Sequence, residues 1–548
     1  MPGHISALAA AAVSVFPLAG TPDVSPRTQI SVRGVPAAQI ASVIVRGSKT
    51  GRHSGRLVAS SDGSGASFIP SRRFAAGERV SVRVAGSTAK FTIARSPGRL
   101  KTQRDVRDPG GAAPGAQSFQ TQPGLHPPDV RIDTPGGDGY VFVAPKNGPG
   151  DDGPMIVDPQ GRTVWFKRMP SGIKAFDFRE QQYQGRPVLT WWQGLATGGK
   201  GFGDGMVYDT SYRQVARVRA GNGYRADLHE FLLTPQGTAF VIAYPAVRIG
   251  RTPVLDSVIQ EVDVKTGLVV FEWHGLGHVS LRESYARRSR GYAYDYLHAN
   301  SVDLEPNGNL LVSARNTSAI YEIDHRSGAV LHRYGGRRSD FRLAAGTRFI
   351  GQHDARLLAD GTISVFDNAS TSGRVLPSRA LVLRPDLSGR TLSVVHAYRH
   401  PRGLGANSQG NVQVLPGGDT FVGWGGSIPY FTQFSSQGQV DFEGHFVPTR
   451  NETYRAYRAP WQGRPGGRPD VAARGTTVWA SWNGATDVAS WQVLAGTSPD
   501  ALSPVANAPW TGFETAIPLG SAQPWIQVRA LDASGAVLGT SQAVRPSA

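Results

Sequence analysis

A chain of 548 residues with 40% apolar and 18% charged side chains is too long for one ordinary core and too apolar for disorder, so several globular domains are expected. Its 58 basic residues exceed its 41 acidic ones, a formal charge of +17, yet only eight are lysines and no dense basic run is interleaved with aromatics. That pattern argues against nucleic acid and for a solvated basic surface able to draw small anions, while the absence of cysteine excludes disulfides, thiolate metal sites and a cysteine nucleophile.

The first twenty residues, MPGHISALAAAAVSVFPLAG, carry an apolar stretch from Ile5 to Ala19 followed by small residues. They resemble the apolar region of a secretory signal without its charged start, so residues 1–20 are expected to direct export to the cell envelope or beyond. No later segment has the roughly 18 uninterrupted apolar residues of a membrane span. Residues 21–94 alternate with the period of strands (TQISVRG, ASVIVRGS, RVSVRVAG, KFTIAR) between turns such as SDGSG, which predicts a β-sandwich. Residues 95–127, rich in Gly, Pro and Gln, read as a linker along a surface.

Residues 128–462 hold repeats. A strand, a glycine turn and a second strand recur as IVDPQGRTVWF, EFLLTPQGTAFVIAY, SVDLEPNGNLLVSAR, ARLLADGTISVFDN and VQVLPGGDTFVGWG. A second half-unit recurs as QEVDVKTGLVVFEW, YEIDHRSGAVLHRY, VLRPDLSGRTLSVVHAY and QFSSQGQVDFEGHF. Four strands per unit, with units ending near Phe166, Val218, Trp273, Tyr334, Tyr398 and Phe446, predict a six-bladed β-propeller in an all-β protein. From 468 to 548, the tryptophan-anchored alternation of TVWASWNGATDVASWQVLAGTS predicts a fibronectin type III-like sandwich.

Aligning the first strands of four successive blades (ADLHEFLL, DYLHANSV, GQHDARLL, QGNVQVLP) puts His229, His298 and His353 at near-equivalent places, with Asn411 near the same place in the fourth. First strands line a propeller's channel, so these side chains are expected to converge at one end of its axis. Arg315 ends the strand across the hairpin from His298, and the Pro306–Gly308 turn fixes that register. A neutral donor and a permanent cation on one hairpin suit a small anionic group. His325, His332, His396, His400 and His445 read as solvated. His274 and His278 fall in the insertion WHGLGHVSLRESYARRSRGYAYDY, either a rim over the channel or an ordinary loop.

An arginine aimed at three histidines opposes a divalent cation, so no metal is expected there, and no cofactor either. HExxH, glycine-rich phosphate loops and GxSxG are all missing. A neutral imidazole can carry a transferred group covalently, with the arginine and further histidines stabilising its oxygens.

The segments DLHEF, DYLHANSVDLEPNGNLLVSARN, YEID, GAVLHRYGG, GQHDARLLADGTISVFDN and GNVQVLPGGDTFVGWG resemble the bacterial arylsulfotransferase family, a six-bladed propeller with an N-terminal β-domain. The likeness covers roughly 128–460, with some support from GRHSGRLVASSDGSGASFIP in the first domain. It implies a nucleotide-independent transfer of a sulfuryl group from an aryl sulfate donor to a phenolic acceptor through a sulfohistidine. By motif, His353 would be the nucleophile, with His298, Arg315 and His229 as oxyanion and leaving-group partners. Asn300 and Asn368 would hold them, and Asn411 would sit on the substrate side. The chain departs from the family in lacking the disulfide some members carry and in adding the C-terminal sandwich. The competing readings are a non-catalytic extracellular binding or adhesion propeller and a metal-dependent hydrolase or lyase. Oligomeric state is left open.

Overall fold

The computed structural model describes residues 13–101, 113–371 and 373–547, and among them regular structure is β-strand with three single-turn 3-10 segments. The protein is all-β. It divides into two compact units, Met1–Gln103 with Val218–Phe341, and Arg104–Arg217 with Arg342–Ala548.

The first unit opens with two four-stranded antiparallel sheets. One runs Ser14–Phe16, Ile30–Arg33, Gly65–Pro70, Gly55–Ala59; the other Gly51–His53, Val43–Gly47, Arg79–Val84, Ser87–Thr92. The alternation of RVSVRV turns Val80, Val82 and Val84 inward, where they meet Ile30, Val32, Val45 and Phe91 in one core. The sandwich starts earlier than residue 21, because Ser14–Phe16 is its edge strand and Phe16 is buried. Residues 1–12 of the expected export signal lie outside the described residues.

Two blade-type sheets follow in this unit, each antiparallel and meandering, together with a three-stranded sheet of Ala246–Ile249, Thr252–Leu255 and Tyr294–Asp295. The first runs Phe231–Leu233, Thr238–Ala243, Val258–Asp263, Val269–His274; the second Ala299–Leu304, Leu310–Ala314, Ala319–Ile323, Val330–Gly335. Their facing sides share a core that includes Phe240, Ile259, Trp273, Tyr296, Val302, Val312 and Tyr321. The hairpin between Leu304 and Leu310 turns on Gly308, whose φ of 87° favours glycine, while Gly308 N donates to Glu305 O at 2.8 Å. The sandwich seats on the first blade sheet. Gln29 Nε2 donates to Val269 O at 2.7 Å, Ser61 N and Oγ donate to Asp263 at 2.7 and 2.9 Å, and Phe16 meets Phe271 edge-on at 5.1 Å.

The second unit holds four more blade-type sheets. Two are Lys174–Tyr183 through Gln214–Val218 and His353–Leu357 through Thr391–Tyr398. The third, Asn411–Val414 through Val440–Val447, gains Asp129–Thr134 as an outermost fifth strand. The fourth is Tyr140–Val143, Met155–Val157 and Thr163–Phe166, with Tyr457–Ala459 as its innermost strand. The six final strands end at Phe166, Val218, His274, Gly335, Tyr398 and Val447, within a residue of the periodicity in the sequence.

The C-terminal segment forms a three-stranded sheet (Asp470–Arg474, Thr477–Ser481, Glu514–Pro518) and a four-stranded one (Ala501–Pro509, Ser490–Ser498, Trp525–Leu531, Val537–Thr540). Val478, Ala480 and Ile517 of one share a core with Trp491, Val493, Ile526 and Val528 of the other. The described end of the 95–127 segment straps onto this module, with Thr121 N donating to Glu514 Oε2 at 2.6 Å and Phe119 against Phe513 at 4.3 Å.

Candidate active site

In the first unit, the short strands of consecutive blades bring His229 and His298 together. Their rings lie 4.8 Å apart, edge to face, and Tyr244 stacks on His298 at 5.6 Å while meeting His229 edge-on at 5.8 Å. All three neighbours are anchored: the Tyr244 hydroxyl donates to Ala299 O, His229 Nδ1 pairs with Asp227 Oδ1, and His298 Nδ1 lies 2.6 Å from Asp295 Oδ2. A carboxylate can only accept, so each Nδ1 is the protonated nitrogen. That leaves Nε2 of each ring as the atom able to take or pass a proton.

His298 sits immediately before Ala299–Leu304 with φ of 57°, and a bulge follows between Ala299 and Ser301. The left-handed residue and the bulge re-aim the start of the strand. Arg315 opens a single 3-10 turn just past Leu310–Ala314, one residue beyond its expected strand, and its N–H donates to His298 O at 2.9 Å. The hairpin thus couples the two residues through the backbone. Burial pulls the Arg315 pKa down and Asp295 pulls it back up, but a guanidinium remains charged throughout the working range. Asn300 is fully buried in the same strand.

In the second unit His353 begins its strand, 1% exposed, ahead of a bulge between His353 and Arg356 at which Asp354 has φ of 55°. Its tautomer follows from the neighbours. Asn368 Nδ2 donates to two carbonyls, Ala406 O at 3.3 Å and Gln409 O at 2.9 Å, which fixes the amide's orientation. Asn368 Oδ1 therefore faces His353 Nδ1 at 2.7 Å and can only accept, so Nδ1 carries the proton. Nε2 keeps its lone pair, toward which Gln409 N–H points at 3.3 Å. His353 is a neutral imidazole with its lone pair on Nε2. Asn411 is engaged differently: Nδ2 donates to Ala456 O at 2.8 Å and Oδ1 accepts from Ala456 N at 2.9 Å, clamping its strand to the segment that leads into Tyr457–Ala459.

The second unit also contains charged residues that sequence patterning missed. Lys146, 2% exposed, pairs with Glu452 at 2.8 Å and donates to Gln409 Oε1 at 3.2 Å. Arg455, fully buried, pairs with Asp177 at 2.8 Å and lies 3.3 Å from Asp354; Tyr457 Oη also donates to Asp177, at 2.9 Å. Burial would raise the Asp177 carboxyl, but Arg179, Arg455 and Arg356 outweigh it and hold the group well below the usual carboxylate range. Hydropathy cannot find such residues, because a paired buried arginine reads like an exposed one. Asp177→Ala would remove the buried carboxylate that Arg455 and Arg179 share, and a loss of about 3–5 kcal/mol is expected. Urea unfolding should show a clear fall in midpoint relative to Asp177→Asn, which keeps the shape and the acceptor oxygen.

The remaining histidines are paired rather than solvated where they are buried. His400 lies 2.6 Å from Glu443, His445 3.1 Å from Asp133, His332 2.8 Å from Glu322 and His325 3.0 Å from Glu261. His274 is no part of a rim: it is the last residue of Val269–His274 and is 1% exposed. The insertion after it reaches the neighbourhood of Arg315, with Tyr285 N donating to Asn316 O at 2.7 Å and Arg337 lying over the Tyr285 ring at 4.1 Å.

The arylsulfotransferase (ASST) family model matches residues 179–447. No curated protein matches the chain. Among solved structures, a protein of unknown function from Bacteroides caccae is 14% identical over 58% of this chain and 98% of its own, with a TM-score of 0.39. Another, from Bacteroides thetaiotaomicron, is 13% identical over 79% and 98%, with a TM-score of 0.33. A catalytically inactive virginiamycin B lyase from Staphylococcus aureus with quinupristin is 10% identical over 65% and 96%, with a TM-score of 0.31. Likeness at this level says nothing about chemistry.

Proposed function

We propose, from the match of residues 179–447 to the arylsulfotransferase family model, that the chain moves a sulfuryl group from an aryl sulfate donor to a phenolic acceptor through a sulfohistidine at His353. The observation that carries this reading is the fixed tautomer of His353, with Nδ1–H held by Asn368 Oδ1 and the lone pair left on Nε2. A neutral, oriented imidazole is the state a nitrogen nucleophile requires.

In the first step Nε2 of His353 forms the N–S bond as the S–O bond to the aryl oxygen breaks, and the departing phenolate takes a proton from a general acid, the role the family motifs give to His229. In the second step His229 accepts the acceptor's phenolic proton, the phenolate oxygen forms its bond to sulfur, and the N–S bond breaks to restore His353. The family motifs give His298 and Arg315 the role of stabilising the sulfuryl oxygens, whose charge redistributes in both transition states. The Asp227 and Asp295 carboxylates orient the rings of His229 and His298 through Nδ1. Asn368 positions His353, and the hydrogen bond that Gln409 N–H donates to Nε2 must open for Nε2 to attack. Asn300 is a buried support next to His298, while Asn411 is best read as a backbone clamp.

Incubation with a chromogenic aryl sulfate and a phenol tests the reading. The expected results are acceptor-dependent release of the donor phenol and, without acceptor, a protein mass raised by one sulfuryl group. Unchanged mass and no phenol release across several aryl sulfates would overturn it.

A further inference from the structure

A second cluster of polar residues lies in the core of the first unit, outside the groups assigned to sulfuryl transfer. Asp23 from the N-terminal sandwich meets Asp256 and His274 of the blade sheet that the sandwich covers. Among the described residues, these three are the one set of His, Asp or Glu donors close enough to share an ion, with one ligand atom from each lying within 4.8 Å of the others. Side-chain exposure is 1% for Asp23, 0% for Asp256 and 1% for His274.

The arrangement has the form of a metal site. His274 Nδ1 is 2.8 Å from Asp256 Oδ2 and 3.4 Å from Asp23 Oδ1, so one nitrogen and two carboxylate oxygens of different carboxyl groups face one point. The other ring nitrogen, Nε2, lies 3.1 Å from Glu272 Oε1, and Glu272 Oε2 accepts from Asn222 Nδ2 and Gln260 Nε2, both at 2.6 Å. A carboxylate behind a histidine in this way fixes the ring and raises its basicity as a ligand. Asp256 Oδ1 is likewise tied, accepting from Leu276 N at 2.9 Å.

Two observations call for a ligand. Asp23 is buried, yet neither of its carboxylate oxygens accepts a hydrogen bond. The hydroxyls of Tyr224 and Tyr296 are also buried without a partner, with the Tyr224 ring 6.4 Å from His274. Tyr296 Oη and Asp256 Oδ1 crowd the same side of Gly275, which puts that hydroxyl at the edge of the cluster. The charge count points the same way. Asp23, Asp256 and Glu272 are three buried carboxyl groups around one imidazole, and among the described residues no lysine or arginine is ion-paired to any of them. Even a protonated His274 leaves an interior excess of negative charge, which protein interiors do not carry without a cation.

We propose that Asp23, Asp256 and His274 bind one divalent transition-metal ion of the zinc or manganese class through Asp23 Oδ1, Asp256 Oδ2 and His274 Nδ1, with Glu272 orienting the imidazole. The mixed nitrogen and oxygen donor set suits these ions better than calcium, which takes six or more oxygens. On binding, Nδ1 gives up its proton to solvent and its lone pair takes the ion. The ion ties the N-terminal sandwich to the blade sheet beneath it, adding one strong bond to a seam otherwise held by Gln29, Ser61 and Phe16. Its role is to hold this unit together rather than to take part in the reaction.

The test is elemental analysis and thermal unfolding of the full chain, stripped with a chelator and reloaded with Zn²⁺ or Mn²⁺. About one equivalent per chain is expected in the loaded protein, with a higher melting temperature than in the stripped protein. Asp23→Asn and His274→Gln should each bind at least tenfold less metal. Asp23→Asn keeps the side chain's shape and removes one buried charge, so it should melt above the stripped parent while losing the response to metal. Absence of bound ion after loading, or binding and melting shifts that survive both substitutions, would overturn the proposal.

Discussion

Replacing His353 by alanine is expected to abolish phenol release from an aryl sulfate, lowering kcat by about 10⁴-fold or more. The loss should be this large because, in the proposed mechanism, the group removed forms the covalent bond, and no orientation of the remaining residues substitutes for its lone pair. The protein should remain folded. His353 makes side-chain bonds to Asn368 and Gln409 N–H, so the cost is of the size of one or two buried polar groups, roughly 1–3 kcal/mol each. Two measurements separate chemistry from folding: steady-state turnover with the parent's circular dichroism retained, and loss of the sulfuryl mass gain in the quenched protein. Turnover within tenfold of the parent, or an undiminished mass gain, would move the nucleophile elsewhere.

Arg315→Met is expected to lower kcat by about 10²–10³-fold, with the KM for the aryl sulfate changing much less. Methionine keeps much of the aliphatic volume and removes the charge. In the proposed mechanism the interaction lost is strongest when the sulfuryl group is partly detached, so the effect falls on kcat. Because Arg315 N donates to His298 O, the backbone coupling of the hairpin survives the substitution. A lysine at the same position should recover part of the rate, since it restores the charge without the planar fork. An equal rise in KM and unchanged kcat would assign Arg315 to ground-state binding alone.

The sequence revealed blades better than it revealed what completes them. Strand pairs around Asp, Gly and Asn turns mark their own ends, because the two-residue period and the turn chemistry are local properties; the hairpin at Leu304–Leu310 shows both. The strands Asp129–Thr134 and Tyr457–Ala459 have no partner nearby in sequence and were invisible to a repeat search. His229, His298 and His353 stood out because a repeat supplies a register. The buried ions Lys146, Asp177 and Arg455 did not, since their cost is offset by partners up to about three hundred residues away. His274 lies where the sequence turns into the insertion, yet it closes the strand Val269–His274 and is buried. Its partner Asp23 belongs to another domain, and no spacing rule connects them.

The innermost strand of the sheet that begins at Tyr140 is Tyr457–Ala459. During synthesis, Tyr140–Val143 leaves the ribosome with one edge open and waits for a mate encoded roughly 300 residues downstream, on the order of half a minute later at ordinary elongation rates. Through that interval the nascent chain exposes an apolar edge of the kind that seeds association with other chains. A fragment ending near residue 450 would keep the whole stretch matched by the family yet lack this last strand, and it should be recovered mainly as aggregate.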